Sequence, residues 1–219
     1  MNRLLFSKTG DAVYLSHLDL MRVFQRAFKR AGILIWHSQG FSPRAYVSIA
    51  LPLPVGTESR CEILDFEIED GSVELSSLPK RLNAVLPAGI RVLSAYESAR
   101  KVKELMLLRA EVTLEYDGGI PADAQKKLAA FFARESIVIT KHSKKGDKEV
   151  DIRPLIASMS IAAVSACELR LECVLSAQNP GLNPQLLVLA IETYLPKAAP
   201  SFARICRVEV LDAQHNPFR

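Results

Sequence analysis

Residues 62–69 read EILDFEIE, and this stretch decides the fold class. Charged and apolar side chains nearly alternate along it, which is the pattern of an antiparallel strand that is buried on one face. Earlier in the chain, residues 18–31 are predicted to form a helix, because apolar residues recur there every three or four positions. Ser16 is suited to cap the start of that helix, with Asp19 as partner at the third helical position, and Gly32 is suited to end it.

The elements on either side of this strand give the order β-α-β-β-α-β. Further strands are predicted over residues 4–6, 46–51 and 90–97, and a second helix over residues 73–85. That order is the split β-α-β arrangement of ferredoxin-like folds. We assign this first unit to residues 1–98, and a short charged connector follows it.

The same pattern repeats in the second half of the chain. Strands are predicted over residues 107–116, 136–141, 149–152, 167–176 and 204–211, and helices over residues 121–134 and 184–194. We therefore predict an α+β protein of two tandem ferredoxin-like (βαββαβ) units with antiparallel sheets. The second unit takes residues 105–212 and leaves residues 213–219 as a tail.

Composition and motif content narrow the function classes. Of the 219 residues, 49% are hydrophobic and 24% are charged, as in an ordinary globular protein. No apolar run approaches the roughly 20 residues of a membrane-spanning helix, and the first residues do not have the pattern of a signal peptide. The four cysteines form no C-x-x-C pair, and glycine-rich nucleotide and H-E-x-x-H metal motifs are missing. We expect a cytoplasmic protein with no cofactor, no metal site and no membrane partner.

Basic residues are concentrated near the start of the chain. The formal net charge is +4, yet residues 1–44 alone hold seven Lys and Arg against two Asp. One face of the predicted first helix carries a basic stripe that spans about 140° of the helical wheel. The stripe consists of Arg22, Gln25, Arg26, Lys29 and Arg30. Its natural partner is a phosphate backbone, because Lys and Arg displace condensed counterions; the alternative is a solvated helix face.

A second basic run occupies residues 141–148. It includes Lys144 and Lys145, which we add to the candidate residues for binding nucleic acid or a partner. Just after it, Arg153 is expected either to pair with Asp151 or to bind an anion.

The segment QGFSPR, residues 39–44, is the most site-like part of the sequence. Its glycine allows a ligand to approach the backbone, Phe41 can stack on a base and Arg44 can bind a phosphate. Gln39, Phe41 and Arg44 are therefore candidates for binding nucleic acid or a partner. The alternative is a helix-to-strand loop in which Phe41 packs into the core.

His17 is the candidate catalytic residue. It lies in the first turn of the predicted helix, where the helix dipole favours a neutral imidazole that can act as a general base. The alternative is a structural histidine. No serine or cysteine is placed to complete a hydrolytic triad with it.

Several segments resemble a family of bacterial radical SAM-linked proteins, a domain of unknown function found beside or fused to B12-binding-type radical SAM proteins. The matching segments are residues 14–22 (YLSHLDLMR), 39–43 (QGFSP) and 52–59 (PLPVGTES), with a weaker match at residues 151–154 (DIRP). The family usually has a His-Pro pair after the loop motif, where this chain has Arg44 and Ala45. The resemblance implies a radical SAM protein as partner and RNA, or a similarly large molecule, as substrate. It supplies no catalytic residue.

A looser similarity is to CRISPR repeat-processing endoribonucleases, which also pair two ferredoxin-like units and often use a histidine near the first helix. His17 has a comparable position. The glycine-rich loop that those enzymes carry near the C-terminus has no counterpart here, since residues 195–208 contain no glycine.

The sequence therefore predicts an accessory substrate-binding module that contacts RNA, works with a radical SAM enzyme in RNA modification or processing, and is not an enzyme on its own. Two alternatives stay open. One is a metal-independent endoribonuclease of the double-ferredoxin type, with His17 as base and Arg22 or Arg44 stabilising the phosphorane. The other is a protein–protein scaffold for the radical SAM partner.

Overall fold

A computed structural model describes residues 1–69, 71, 73–141, 146–178 and 180–219. The chain divides into two compact units. The first contains Met1–Glu104 together with Phe218–Arg219, and the second contains Leu105–Pro217. The residues that we set apart as a tail, 213–219, are thus shared between both units, and Phe218 is fully buried.

The first unit has the element order β-α-β-β-α-β. Its elements are β1 (Asn2–Lys8), α1 (His17–Arg30), β2 (Val47–Ile49), β3 (Glu58–Phe66), α2 (Leu78–Asn83) and β4 (Ile90–Glu97). The strand order in the sheet is β4-β1-β3-β2, and each neighbouring pair is antiparallel. The second helix is shorter than predicted, because residues 75–77 form a 3₁₀ turn and Pro79 lies in the first turn of α2.

Local signals explain the bounds of α1. The Ser16 hydroxyl caps the helix by accepting a hydrogen bond from the Asp19 backbone N–H. At the other end Gly32 has a φ of +67°, a conformation that glycine adopts without strain. The buried face of the helix packs on the sheet, where the Phe24 ring meets the Phe6 ring at a centroid distance of 4.7 Å.

An ion pair is buried in the core of the first unit. Arg3 and Asp65 are neighbours across β1 and β3, and their side chains are 1% and 5% exposed. The Arg3 guanidinium contacts both carboxylate oxygens, with Nε 2.6 Å from Oδ1 and Nη2 3.1 Å from Oδ2. It also donates to the Ser98 hydroxyl and lies over the Phe218 ring. Each of the three guanidinium nitrogens therefore donates a hydrogen bond, which offsets the cost of burying the charge.

The second unit contains six longer strands and helices and a separate hairpin. The elements are β5 (Leu107–Glu115), α3 (Ala124–Phe132), β6 (Val138–Lys141), β7 (Lys148–Asp151), β8 (Ile156–Ala163), β9 (Glu168–Ser176), α4 (Gln185–Tyr194) and β10 (Phe202–Leu211). The sheet of this unit has the order β10-β5-β9-β8 with antiparallel neighbours. Strands β6 and β7 pair with each other in a two-stranded sheet.

The prediction for the second unit was wrong at one strand. Strands were predicted over residues 136–141 and 149–152, on either side of a basic hairpin loop, and none was predicted over residues 156–163. In the structure the first two stretches form the separate β6–β7 hairpin, and β8 is the strand that pairs with β9. The reason is composition: β8 reads IASMSIAA, in which small residues hide any alternation between apolar and polar positions.

The two units together make a mixed α/β protein with antiparallel strands and helices, in agreement with the predicted α+β class. Among the described residues, no helix is long and apolar enough to cross a membrane.

Candidate nucleic-acid interface

The basic stripe lies on the solvent side of α1. Arg22, Arg26, Lys29 and Arg30 are exposed, and Gln25 is half-buried. The residues that α1 buries are Leu20, Phe24, Ala27 and Phe28. The predicted division of this helix into an apolar face and a basic face is therefore confirmed.

The four cations differ in how far they are already engaged. Arg22 pairs with Asp19 at 3.1 Å, and both side chains are half or more exposed. Arg30 Nη2 donates to the Val85 carbonyl oxygen at 2.8 Å, so part of its guanidinium holds the end of α2. Arg26 and Lys29 form no ion pair or side-chain hydrogen bond with the part of the chain that the structure describes. An exposed pair contributes little to stability, so Arg22 can exchange Asp19 for a phosphate at low cost.

Asp19 is tied to the start of the helix as well as to Arg22. A hydrogen bond from the Ser16 hydroxyl, followed by one from the Arg22 guanidinium, lowers the pKa of the Asp19 carboxyl below its ordinary value. The carboxylate therefore stays ionised at neutral pH beside the first basic residue of the stripe.

The loop after α1 is closed at its base by the backbone. The His37 and Ala45 backbones form an antiparallel bridge. One residue further into the loop, Ser38 N–H donates to the Arg44 carbonyl oxygen at 2.9 Å, and Arg44 N–H donates to the Ser38 hydroxyl oxygen at 3.1 Å. These bonds fix the two ends of residues 39–43, the tip loop.

The tip loop projects its aromatic residue into solvent. The Phe41 side chain is fully exposed, at 110% of its reference area. Gln39 and Arg44 are exposed as well. The alternative in which Phe41 packs into the core is therefore wrong. The exposed ring makes no packing contact with the core, so it is accessible to a ligand.

The basic stripe and the base of the loop are joined. Gln25 Nε2 donates to the Ala45 carbonyl oxygen at 2.8 Å. Beside this bond lies a cavity of about 380 Å³. Its lining consists of Gln25, Phe28 and Lys29 from α1, residues 32–35, His37 and Ala45. Leu34 in this lining is exposed, and so is the neighbouring Trp36, whose ring meets the Tyr46 ring edge-on at a centroid distance of 5.7 Å. This cavity was not predicted, because it depends on a contact between residues 20 positions apart.

His17 does not belong to the basic stripe. It is the first residue of α1, it is half-buried, and its Nδ1 atom is buried without a hydrogen-bond partner among the described residues. At roughly 100° per residue, His17 lies about 140° from Arg22 around the helix axis and within about 20° of buried Phe24. The imidazole is therefore on the core side of the helix and points away from Arg22, one of the two cations that the ribonuclease alternative names.

The chain that enters α1 is held by a buried lysine. Lys8 Nζ donates to the carbonyl oxygens of Val13 and Leu15 at 3.0 Å each. Val13 also accepts from Gly56 N–H, which places the segment 52–59 against the start of α1. Tyr14 and Leu18 are exposed at this end. The residues that carry the family resemblance at 14–22 and 52–59 are therefore neighbours in space.

Much of the second basic run, residues 141–148, falls outside the described residues. Lys144 and Lys145 lie outside the described residues. Arg153 does not use its guanidinium for Asp151: it donates to the carbonyl oxygens of Arg134 and Ile156. Asp151 instead accepts from the backbone N–H groups of Ile137 and Arg153, and these bonds lower the pKa of its carboxyl. Among the described residues, no group of three or more His, Cys, Asp and Glu is arranged to hold a metal ion.

Three comparisons place the chain among known proteins. A family model described as "Uncharacterized protein conserved in bacteria (DUF2344)" matches residues 2–184. Among curated proteins, none matches significantly. A chain in a crystal structure of a Cbf5-Nop10-Gar1 complex is similar in structure, with a TM-score of 0.56 and 8% sequence identity over 95% of this chain and 48% of that chain. The chain thus spans about half the length of this neighbour, and at this identity the likeness shows the fold alone.

A second solved structure, an unknown protein from Galdieria sulphuraria, matches 93% of this chain and 94% of its own. Its TM-score is 0.27 at 10% identity, which is too low to indicate a shared fold.

Proposed function

The chain belongs to the DUF2344 family of proteins conserved in bacteria, and from that premise we propose that it is an accessory substrate-binding module that contacts RNA. The RNA-contacting surface consists of the basic stripe on α1 and the tip loop with Arg44. The module works in the cytoplasm with a radical SAM protein that carries out RNA modification or processing. We assign its fold to two tandem ferredoxin-like units, since each unit has the strand order 4-1-3-2 of that topology.

One observation carries the proposal: a fully exposed Phe41 lies in a closed loop whose base is hydrogen-bonded to the basic stripe. Single-stranded nucleic acid is bound by this combination, in which cations follow the backbone and an aromatic ring stacks on a base. Each element alone has an ordinary explanation. Together they offer both contacts on one surface of the first unit.

The charge distribution supports RNA over an uncharged partner. Arg26 and Lys29 have no ion pair with any described residue, and Arg22 has only an exposed one. Binding to phosphates releases the counterions that surround such free cations, and this release is the main source of sequence-independent affinity. An uncharged protein surface on the same face would have to desolvate these cations without that gain.

The proposal is tested by the salt dependence of RNA binding. Affinity of the protein for a labelled single-stranded RNA is measured by fluorescence anisotropy across a salt series. The test variant is Arg22→Ala/Arg26→Ala/Lys29→Ala, which spares Arg30 because that side chain also holds Val85. Each lost phosphate contact lowers the magnitude of the log–log slope by about 0.7, so we expect a loss of about 2.

A matched control variant has the same net charge as the test variant. Lys80→Ala/Arg91→Ala/Lys103→Ala removes three exposed cations of the first unit that are not on α1. We expect it to retain the wild-type slope. Equal slopes for both triple variants would show that the stripe is not the binding surface, and no binding at low salt would leave the scaffold alternative. In that case stripe variants should change capture of the radical SAM partner instead.

A further inference from the structure

Strand β8 has an outer edge that pairs with no other strand of the described chain. Among the described residues it pairs with β9 only, and it ends the sheet of the second unit. In an antiparallel strand, the backbone N–H and C=O groups of every second residue bond to the paired strand, and those of the residues in between point away from it. Val164 N–H donates to the Glu168 carbonyl oxygen. Counting back from this bond, the backbone groups of Met159, Ile161 and Ala163 point outward.

A side chain already uses this edge. Gln125 Nε2 from α3 donates to the Ile161 carbonyl oxygen at 2.9 Å. The contact confirms that the Ile161 carbonyl faces away from β9. It also shows that an N–H donor on the side of α3 can reach the outward carbonyl groups of β8.

The edge lacks the devices that usually protect terminal strands. Natural edges are short, or they carry charges or proline. In the first unit the terminal strand β4 carries Arg91 and Glu97, and β2 has only three residues. Strand β8 has eight residues, IASMSIAA, with no charge and no proline, and its one irregularity lies between Ile156 and Ser158. A regular stretch from residue 158 to residue 163 is therefore open to pairing.

A cavity runs along the inner side of this edge. It measures about 510 Å³ and lies between α3 and β8. Its lining consists of Gln125, Lys126, Ala129, Phe132, Ala133, Arg153 and residues 156–159 and 161. Because Gln125 reaches Ile161 at one end and Arg153 reaches the Arg134 carbonyl at the other, α3 runs antiparallel to β8.

The charges of the cavity have one sign. Lys126 lies near the end at Ile161, and Arg153 lies near the end at Ile156, while the middle of the lining is apolar. No Asp or Glu is among the residues that line it. Arg153 donates through Nε and Nη1 to carbonyl oxygens, so that its Nη2 can still bind a carboxylate.

We propose that this groove binds an extended acidic segment of a partner protein, which adds to the sheet as a strand beside β8. The partner's backbone pairs with the outward groups of Met159, Ile161 and Ala163, and its N–H replaces the Gln125 amide at the Ile161 carbonyl oxygen. Its apolar side chains enter the cavity between α3 and β8, and acidic side chains at either end meet Lys126 and Arg153. Strand addition supplies affinity through the main chain, and the cavity supplies specificity at alternate side chains.

A second copy of the chain fits this groove less well. Two β8 strands paired about a two-fold axis would bring the Lys126 and Arg153 groups of both copies to the same interface with no acidic residue from either lining. Like charges placed together disfavour that pairing. The charge of the groove therefore selects an acidic partner.

The test uses short synthetic peptides and the full chain. The probe is a fluorescein-labelled peptide Glu-Thr-Leu-Thr-Leu-Thr-Glu, and its counterpart has lysine in place of glutamate. We expect saturable binding of the acidic peptide in an anisotropy titration and much weaker binding of the basic one. Methylation of the peptide's leucine amides, which prevents strand pairing, should abolish binding.

Two pairs of variants locate the site. Lys126→Glu should lower the affinity for the acidic peptide about fivefold or more and raise the affinity for the basic one. Lys127 is the neighbouring exposed lysine and does not line the cavity, so Lys127→Glu should change neither affinity. Met159→Pro removes one outward N–H and should abolish binding, whereas Met159→Leu keeps that N–H and should retain it. Circular dichroism checks that each variant is folded.

Three results would overturn the proposal. The first is no saturable binding of the acidic peptide up to about 1 mM. The second is binding that responds equally to Lys126→Glu and Lys127→Glu. The third is a dimer in sedimentation that Met159→Pro dissociates, which would assign the edge to a second copy. None of these outcomes depends on whether α1 binds RNA.

Discussion

Gln25 and Ala45 are linked by a hydrogen bond of 2.8 Å from the side-chain amide to the backbone carbonyl. This bond connects the basic stripe of α1 to the residue that follows Arg44. Because the backbone between Ser38 and Arg44 is closed by its own bonds, the position of the tip loop relative to α1 depends on contacts at its base. Gln25 thus relates the two halves of the proposed RNA surface, although its side chain carries no charge.

We expect Phe41→Ala to weaken RNA binding without destabilising the protein. The ring is fully exposed, so its removal costs no core packing. Loss of one base–aromatic stack costs about 1–3 kcal/mol of binding, which is at least about a fivefold loss of affinity. Fluorescence anisotropy at fixed salt measures it, and thermal unfolding should be unchanged.

Phe202→Ala is the matched control, since Phe202 is an exposed phenylalanine of the second unit. It should leave RNA affinity at the wild-type level, and Phe41→Trp should retain or improve binding. An unchanged affinity for Phe41→Ala would remove the tip loop from the proposed surface, while the basic stripe could still be tested through its salt slope.

We expect Asp65→Ala to be strongly destabilising. It leaves the Arg3 guanidinium buried without its carboxylate, and removal of one partner of a buried pair costs about 3–5 kcal/mol. Asp65→Asn should cost less, because an amide oxygen still accepts one of the two hydrogen bonds. Urea unfolding measures both. Arg22→Ala, which breaks the exposed pair with Asp19, should change stability little. A similar cost for the buried and exposed pairs would contradict the assignment of Arg3 to the core.

Local signals in the sequence were enough to predict the first unit. Ser16 and Gly32 are capping residues whose effect depends on near neighbours alone, and the structure has them at the two ends of α1. Strand β3 was predicted from the alternation of charged and apolar residues, but the one-sided burial that this pattern indicates was wrong. In the structure all residues from Cys61 to Phe66 are buried, including Glu62 and Asp65, because both faces of the strand are covered. Strand β8 could not be found in this way. Its residues are mostly small and mostly exposed, so burial imposes no clear alternation of apolar and polar residues on its sequence.

The residues of the candidate site could be predicted from the sequence, but whether each side chain is buried or exposed could not. The sequence placed Arg22, Arg26 and Lys29 on one helix face, because helical geometry fixes their directions. It left the position of Phe41 undecided, since the burial of a loop side chain depends on distant parts of the chain. The cavity beside Gln25 and His37 arises in the same way from contacts that no local pattern encodes.

We expect Gly89→Ala to be much more harmful than Gly56→Ala. Both glycines have positive φ, +84° and +81°, so a side chain at either position costs about 1–2 kcal/mol of backbone strain. At Gly89 an added Cβ would also meet the Thr9 carbonyl oxygen and lie 2.8 Å from the Ala12 Cβ, whereas at Gly56 the space is open. Overpacking adds about 1–3 kcal/mol. Chemical unfolding of both variants separates the two contributions, and equal losses would show that the contact with Thr9 can relax.

We expect the contribution of Asp19 to stability to disappear in acid. Its pKa is lowered in the folded protein by the Ser16 hydroxyl and the Arg22 guanidinium, so the unfolded chain takes up the proton first as the pH falls. The stabilisation is therefore complete above the ordinary value of 3.8 and is lost as the pH falls through the lower folded value. The difference in free energy of unfolding between wild type and Asp19→Asn should shrink from neutral pH to about pH 3. A constant difference would mean that the carboxylate has the same partners in both states.

His17→Phe separates a structural histidine from a catalytic one. The imidazole lies on the core side of α1, and its buried Nδ1 has no partner among the described residues. A buried polar atom without a hydrogen bond costs about 1–3 kcal/mol, so an apolar ring of similar size should preserve or raise stability. RNA affinity and its salt slope should stay at wild-type values, because the basic stripe is on the other side of the helix. Labelled RNA is incubated with wild type and variant in chelator-containing buffer. If the wild type cleaves it and folded His17→Phe does not, the metal-independent ribonuclease replaces the accessory module as the best account of this protein.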